Sequence, residues 1–494
     1  MDEQNTKPGY WRVRISADGE PDTEELLLVL GLPDEFEGPV ECTVRCASPA
    51  EYAAVLRLHG SDALSIKGYQ SDVSGEQVAT LDINAARILR SGVTSHGAEH
   101  KEWESSIHAD HTTIRRPLNN SSADEFYSLL FVTENHWLAP PPLEMPNDDG
   151  SLDASEIYQD LRAQFDLHTL DTTVEFVHTY DWRSSGDELT RTRRFAAKTP
   201  NIDVGENDEI RDQVYKEVDD FLLLAGLATA TYSQCVGFAA IGGDASTISY
   251  RRDRVVNRDI DRQSTANDTI VNPGEFDKYW APTYRTFCAS DFKDEIRTCL
   301  HTLRASKRAY LEPSFLMKFA VLELLLSRHR DLRNLSRILD ESSWRSLKKT
   351  LSNAISGQVA IDKALRKSLH ENLSQVNRLP LRAAFDDFVA QYKVDFAGIW
   401  PLFGASNSGL ATVRNLMVHG ATTTKDVRFL PALSFADSHL LWTLEIMLLA
   451  LLQWPRSSTN RREKALSALF GDAANPRRIA ELQNDISELA GNAH

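Results

Sequence analysis

From Tyr10 to about Tyr180, apolar and polar residues alternate in short runs: Trp11-Arg-Val-Arg-Ile, Val40-Glu-Cys-Thr-Val-Arg-Cys, Val174-Glu-Phe-Val-His-Thr-Tyr. A period of two sends successive side chains to opposite faces. These runs, divided by Gly, Pro, Asp and Asn clusters, therefore predict strands of antiparallel sheets. The stretch from Ala139-Pro-Pro-Pro to Ser155, with Asn147-Asp-Asp-Gly inside it, predicts a long loop or subdomain joint. Ile210, Val214, Val218, Phe221 and Leu222 share one helical face and predict a helix over Glu206 to Thr229. A hairpin is expected over Cys235 to Val256, turning at Gly242-Gly243-Asp244, and an exposed polar loop over Arg258 to Asn272.

Beyond Asp291 the period becomes helical and stays so. Helices are expected over Phe292–Arg308, from Glu312-Pro313 through Phe315, Phe319, Leu322 and Leu326, and over Ser342–Asn353, Val359–Leu373, Leu381–Tyr392, Leu410–His419, Phe435–Trp454 and 475–490. Pro313 is expected at the first helical position, where its missing N–H costs nothing. The pattern predicts an α+β protein, with a β-rich region over residues 1–290 followed by an all-α bundle over residues 291–494. Leu440 to Trp454 is the longest apolar run. It is shorter than the ~20 residues that cross a bilayer, and it contains Glu445. A buried helix is expected there. The first residues lack the charged and apolar regions of a secretory signal, so a cytoplasmic protein is expected.

Charge divides the chain in the same place. Residues 1–290 hold 26 Lys and Arg against 50 Asp and Glu, a net of −24, and residues 291–494 hold 28 against 21, a net of +7. The total of −17 alone argues against a nucleic-acid binder. The asymmetry instead points to the basic part as the place where a polyanion is met. Five cysteines, an odd number without paired spacing beyond Cys42 and Cys46, predict reduced thiols rather than a disulfide framework or zinc ribbon.

Within the basic part stands Val413-Arg414-Asn415-Leu416-Met417-Val418-His419-Gly420, followed by a polar loop and a long apolar helix. This R-x4-H string resembles the motif of HEPN-domain ribonucleases. The earlier Tyr310-Leu-Glu-Pro-Ser-Phe-Leu-Met-Lys-Phe-Ala-Val-Leu-Glu-Leu-Leu-Leu resembles the first core helix of that domain in ApeA-like anti-phage proteins. The resemblance covers roughly residues 290–455. It implies an abortive-infection endoribonuclease whose N-terminal region senses a phage component and whose substrate is RNA, with tRNA among the candidates.

The chemistry of the motif is consistent with that. Gly420 is expected just past a helix end, which places His419 in the last turn, where the carbonyl end of the dipole favours an imidazolium. A histidine that titrates near neutrality can pass protons to and from ribose and phosphate. Arg414 offers a permanent, bidentate donor to phosphate oxygens as charge develops. These groups suffice for attack of a 2′-OH on the adjacent phosphate, without a metal or other cofactor. Positions five apart are about 140° apart around an α-helix. One copy of the motif is therefore not expected to complete a site, and the resemblance implies a homodimer in which two copies meet. Asn415 is a candidate to orient His419 or contact phosphate. Glu323, beside the apolar stripe of its helix, is a candidate partner for Arg414. A different class of reading is a non-catalytic module in which the bundle only dimerises or binds RNA.

Lys348, Lys349, Arg366, Lys367, Arg378 and Arg382 are candidates for an RNA track, although charge on helices more often marks a solvated face. His96, His100, His108 and His111, with Glu99 and Asp110, match no compact metal-ligand spacing and are expected in a solvated loop or strand edge. Cys42 and Cys46 are expected on one face of a strand.

Overall fold

A computed structural model of the chain describes residues 9–492 apart from 19, 33–39, 60, 62, 72–74, 97–99, 118–126, 140–143, 147–151, 155–161, 186–187, 201, 203, 205–206, 243–244, 252–264, 336, 359 and 420–425. Two compact units are present. The first takes residues up to 268 together with 276–284, and the second takes 269–275 together with 285–494. The described strands lie in the first unit and most helices in the second, which makes the fold α+β.

In the first unit, β1 (Gly9–Ala17), β2 (Leu26–Gly31), β3 (Glu41–Cys46), β4 (Leu64–Ser71), β5 (Gln77–His96) and β6 (His100–Pro117) close into an antiparallel barrel. Its order is β1-β2-β3-β6-β5-β4 and back to β1. Alternation fills the interior: Val13, Ile15, Leu28, Val44 and Ile66 are at most 1% exposed, while the residues between them face outward. Where β4 crosses β1, a Cβ on Gly68 would meet Val13 Cγ1 at 2.6 Å and Arg12 O at 2.7 Å, so the close approach requires glycine. A short helix, α1 (Pro49–Arg57), joins β3 to β4 and is capped by Ser48, whose side chain accepts from the Glu51 N–H. Cys42 and Cys46 share the inner face of β3, as expected. Burial pushes their thiols up to about 12 and about 11, so both stay protonated and unreactive near neutrality.

The histidine-rich segment is strand rather than loop. His96 and His100 are cross-strand partners at one end of β5 and β6, and His108 and His111 stand within β6. The inward set Ser105, Ile107 and Ala109 anchors β6, while the outward set is so polar that the alternation reads as a loop. His108 Nε2 lies 3.0 Å from Asp110 Oδ1, and Arg87 lies 3.7 Å from the other oxygen. The side chains of His96, Glu99 and His100 fall outside the described residues.

The sheet continues from β6 through the rest of the unit. The strands are β7 (Tyr127–Val132), β8 (Glu144–Pro146), β9 (Leu152–Ala154), β10 (Gln164–Asp166), β11 (Thr173–Ser185), β12 (Glu188–Pro200), β13 (Cys235–Gly242) and β14 (Ala245–Arg251). From β6 the order runs β14-β13-β7-β12-β11-β10, all antiparallel. The predicted joint at 139–155 holds the small β8–β9 pair, and its Asn147-Asp-Asp-Gly turn lies outside the described residues, as does the hairpin turn at 243–244. α2 (Asp208–Thr229) occupies the predicted place, capped by Asn207, and buries Val214, Val218, Phe221 and Leu222.

The predicted loop to Asn272 is corrected at its end: Thr269, Ile270 and Val271 are 0, 3 and 0% exposed. Asn460 Nδ2 donates to Thr269 O at 2.9 Å, and Val271 forms a β-bridge with Thr459, so this short segment belongs to the helical unit. α3 (Phe276–Ala289) was not expected, because Pro282 sits inside it. It divides between the two units at Tyr284 and Arg285, a few residues before the expected boundary.

The second unit contains α4 (Lys293–Ser306), α5 (Leu311–Leu332), α6 (Glu341–Gly357), α7 (Lys363–Val376), α8 (Leu381–Tyr392), α9 (Leu410–His419), α10 (Phe429–Leu451), α11 (Glu463–Phe470) and α12 (Pro476–Asn492). α5 packs on α4, α8, α9 and α10, and α10 also packs on α9 and α12. Two helix starts were misplaced for one reason. Pro313 and Pro431 sit third in α5 and α10, still within the first turn, whose N–H groups have no intrahelical acceptor. α10 is consequently 23 residues long and apolar enough to cross a membrane, yet its apolar window is 72% buried in the fold. Its charges are matched: Asp437 Oδ2 lies 2.6 Å from Lys318 Nζ of α5, and Glu445 Oε2 lies 2.5 Å from Arg461 Nε.

Candidate active site

α9 is short, and its placement depends on the loop before it. Trp400, fully buried, donates from its indole Nε1 to Ser408 O at 2.7 Å, and its backbone N–H donates to His439 Nδ1 at 3.1 Å. The loop then turns so tightly that a Cβ on Gly409 would meet Gly404 N at 2.4 Å and Leu402 O at 2.5 Å. That approach delivers Pro401 O and Leu402 O to the first two N–H groups of α9, at Leu410 and Ala411, each at 3.0 Å. The helix needs no side-chain cap as a result. Leu410, Val413 and Leu416 face inward and are at most 8% exposed.

Arg414 and Asn415 face outward. The Arg414 guanidinium rests over the Phe319 ring of α5, with Cζ 5.8 Å from the centroid. Nη2 lies 3.7 Å from Glu323 Oε1, one turn further along α5, and Nη1 donates to Asn415 Oδ1 at 3.3 Å. Arg414 and Glu323 side chains are 30% and 44% exposed. A pair this long and this solvated contributes about 1 kcal/mol or less. It orients the guanidinium without saturating it, and an incoming phosphate can still engage the fork. Sequence reasoning placed Phe319 only in the core stripe. Its second role, as a platform for a cation one helix away, needs the α5–α9 crossing to be visible. Although Glu323 stands beside the apolar stripe of α5, its side chain is half-exposed, so solvation more than pairing offsets its charge. His419 is the last residue of α9. Its side chain and Gly420 lie outside the described residues.

The basic candidates are spread over α6, α7 and the start of α8. Lys348 and Lys349 are exposed on α6, Lys367 is exposed on α7 with Glu371 at 3.8 Å, and Arg378 and Arg382 are exposed at the start of α8. Arg366 is committed to the fold: its Nη2 donates to Gln358 O at 2.8 Å and Ile361 O at 3.1 Å, closing the turn between α6 and α7. Two buried histidines escaped sequence reading, His329, whose Nε2 lies 2.8 Å from Asp387 Oδ2, and His439. His439, 0% exposed, accepts at Nδ1 from Trp400 N–H and donates from Nε2 to Ala473 O at 2.7 Å. Burial lowers its pKa to about 4, so it is a neutral structural group.

No family model matches the chain, and no curated protein does. Similar solved structures include the Hcp1 protein from E. coli EAEC 042, at 11% identity over 22% of this chain and 91% of that one, with a TM-score of 0.17. A second Hcp protein shares 11% identity over 22% and 90%, with a TM-score of 0.16. Likenesses at these scores carry no argument about fold or function.

Proposed function

We propose that the chain is a metal-independent HEPN-type endoribonuclease acting in the cytoplasm. The observation that carries the reading is the presentation of Arg414: held over Phe319, steered by Glu323 and Asn415, yet partly open to solvent, on the helix that ends at His419. In this reading Arg414 binds the scissile phosphate. A histidine base takes the proton of the 2′-OH, whose oxygen attacks phosphorus. The P–O5′ bond breaks, and an imidazolium protonates the departing oxygen, leaving a 2′,3′-cyclic phosphate and a 5′-OH. Since Arg414 and His419 are about 140° apart around α9, two copies of the motif, brought together in a homodimer, supply the acid and the base.

The biological setting follows from the resemblance to ApeA-like proteins: abortive infection, with the barrel-containing unit sensing a phage-derived trigger and RNA, including tRNA, as the target. The deciding experiment incubates purified protein with total RNA in EDTA, wild type beside His419→Ala, and maps the ends. Cyclic phosphates formed by wild type alone support the reading. Cleavage that persists in the variant or requires Mg²⁺ rejects it.

A further inference from the structure

The start of α8 is electrostatically inverted. A helix N-terminus carries about half a positive charge and favours acidic or capping residues. Here the cap position is Pro380, with no side-chain hydrogen bond, and the first turn has no acidic residue but contains Arg382. Arg378 stands two residues before the cap. Neither arginine has an ion-pair partner among the described residues, and both are exposed. Their backbone is fixed. Asn377, 4% exposed, accepts from Leu339 N–H at 2.7 Å and donates to Leu339 O at 3.1 Å, and Arg337 and Arg378 are β-bridge partners.

An independent feature lies beneath. Arg330, near the end of α5, is only 9% exposed, and no carboxylate pairs with it among the described residues. Its Nη1 reaches Leu379 O, the residue before the cap, at 3.4 Å, and Nη2 reaches Ser327 Oγ at 3.3 Å, while Nε is buried with no acceptor. A buried guanidinium held by two long contacts to neutral atoms is costly unless an anion completes it. Arg330 thus reaches the residue before the cap, Arg378 and Arg382 flank that cap in sequence, and none of the three has an ion-pair partner among the described residues; the α8 carboxylate Asp387 pairs instead with His329 and Arg333.

We infer that Arg330, Arg378, Arg382 and the N-terminal N–H groups of α8 form a phosphate-binding site, separate from the Arg414 motif. A tetrahedral anion accepts from the backbone N–H groups and from guanidinium forks, the donor set that suits phosphate. The source is either a backbone phosphate of RNA or a small phosphate compound. The RNA source rests on the ribonuclease reading, whereas the site itself does not.

The test uses the full chain and two probes. Inorganic phosphate is titrated at constant ionic strength against chloride, following Tm. Binding of a labelled 2′-O-methyl oligonucleotide, which cannot be cleaved by 2′-OH attack, is followed by anisotropy. The variant Arg378→Ala with Arg382→Ala alters only exposed side chains, and Arg330→Lys keeps the charge while removing the fork. Phosphate should raise the wild-type Tm saturably, and both variants should lose the rise. If RNA is the source, the double variant should also weaken oligonucleotide binding about tenfold and flatten its log–log salt slope by about 1. Loss of the phosphate response with unchanged oligonucleotide binding assigns the site to a small phosphate compound. A wild-type Tm that phosphate does not raise, or a rise that the folded double variant retains, overturns the site. Because the oligonucleotide is uncleavable, these outcomes are distinct from failure of catalysis.

Discussion

Glu323 Oε1 lies 3.7 Å from Arg414 Nη2, with both side chains partly solvated, so the carboxylate acts as a guide for the guanidinium rather than a lock. Replacing Arg414 by Ala should reduce RNA cleavage by about 100-fold or more, the scale of losing one charge-stabilising donor. Stability should change by about 1 kcal/mol or less, since the pair is exposed. Glu323→Gln should leave Tm nearly unchanged and produce a smaller loss of rate. An Arg414→Ala protein that folds and cleaves at the wild-type rate would remove Arg414 from the chemistry.

Phe319 fixes the same cation from below, with the Arg414 Cζ 5.8 Å from its ring centroid. Phe319→Leu keeps an apolar side chain in the core and should cost about 1–2 kcal/mol in denaturant unfolding. The cleavage rate should fall beyond what the lost stability explains when measured well below Tm. Equal rates in the two proteins would show that the aromatic face plays no part in holding Arg414.

Gly409 has a purely steric role at the entrance to α9. A methyl group there collides with backbone atoms of Gly404 and Leu402, neither of which is a flexible side-chain end. Gly409→Ala should therefore cost about 1–3 kcal/mol and displace the helix that carries Arg414 and His419. Activity should be lost even in the fraction that remains folded. Gly92, whose Cβ would meet nothing within 4 Å, is the control, and alanine there should be tolerated.

Much of this was legible in the chain, for identifiable reasons. Strong 3.6-residue periodicity gave α8 and α9 their bounds, and alternation gave β1 and β3 of the barrel but not β6, whose outward residues are too polar. Closure of β1 through β6 was not legible, because pairing β3 with β6 is a long-range choice that no local pattern encodes. The proximity of Glu323 to Arg414 could be inferred from charge on a helix beside an apolar stripe. Phe319 as a platform, and Arg330 beneath the start of α8, could not, since both depend on how helices cross. The carbonyl contacts of Arg366 were not legible either, because a charged residue near a helix end serves carbonyl groups as readily as phosphates.

His439 gives the helical unit an acid limit. Its folded pKa is about 4, against the ordinary value of 6.5, so the unfolded chain binds the extra proton first as pH falls. Stability is complete above about pH 6.5 and is lost progressively between there and about 4, by on the order of 3 kcal/mol. Protonating Nδ1 would also remove the acceptor for the Trp400 N–H, which helps fix the loop leading into α9. Histidine NMR at pH 5.5 should find His439 neutral, with its proton on Nε2. A His439 resonance that titrates near 6.5 would refute the assignment.

The segment 269–275 decides how the basic half can be isolated. It belongs to the helical unit through Asn460 and Thr459, and it buries Ile270 and Val271. Cutting at residue 285 removes it, at a cost of about 3 kcal/mol or more for two apolar side chains. A fragment beginning at 265 should consequently have a clearly higher Tm than one beginning at 285, and equal values would place the segment outside the unit's stability. The longer fragment then tests control. Residues 1–290 carry −24 and residues 291–494 carry +7, and any electrostatic masking of the basic half by the acidic one would weaken with salt. Once its helicity is confirmed, the 265–494 fragment should bind an uncleavable RNA more tightly than the full chain at low salt, with the difference narrowing at moderate salt. A folded fragment with unchanged affinity would reject electrostatic masking and leave two readings of the barrel-containing unit, recognition of a trigger or control of dimer geometry.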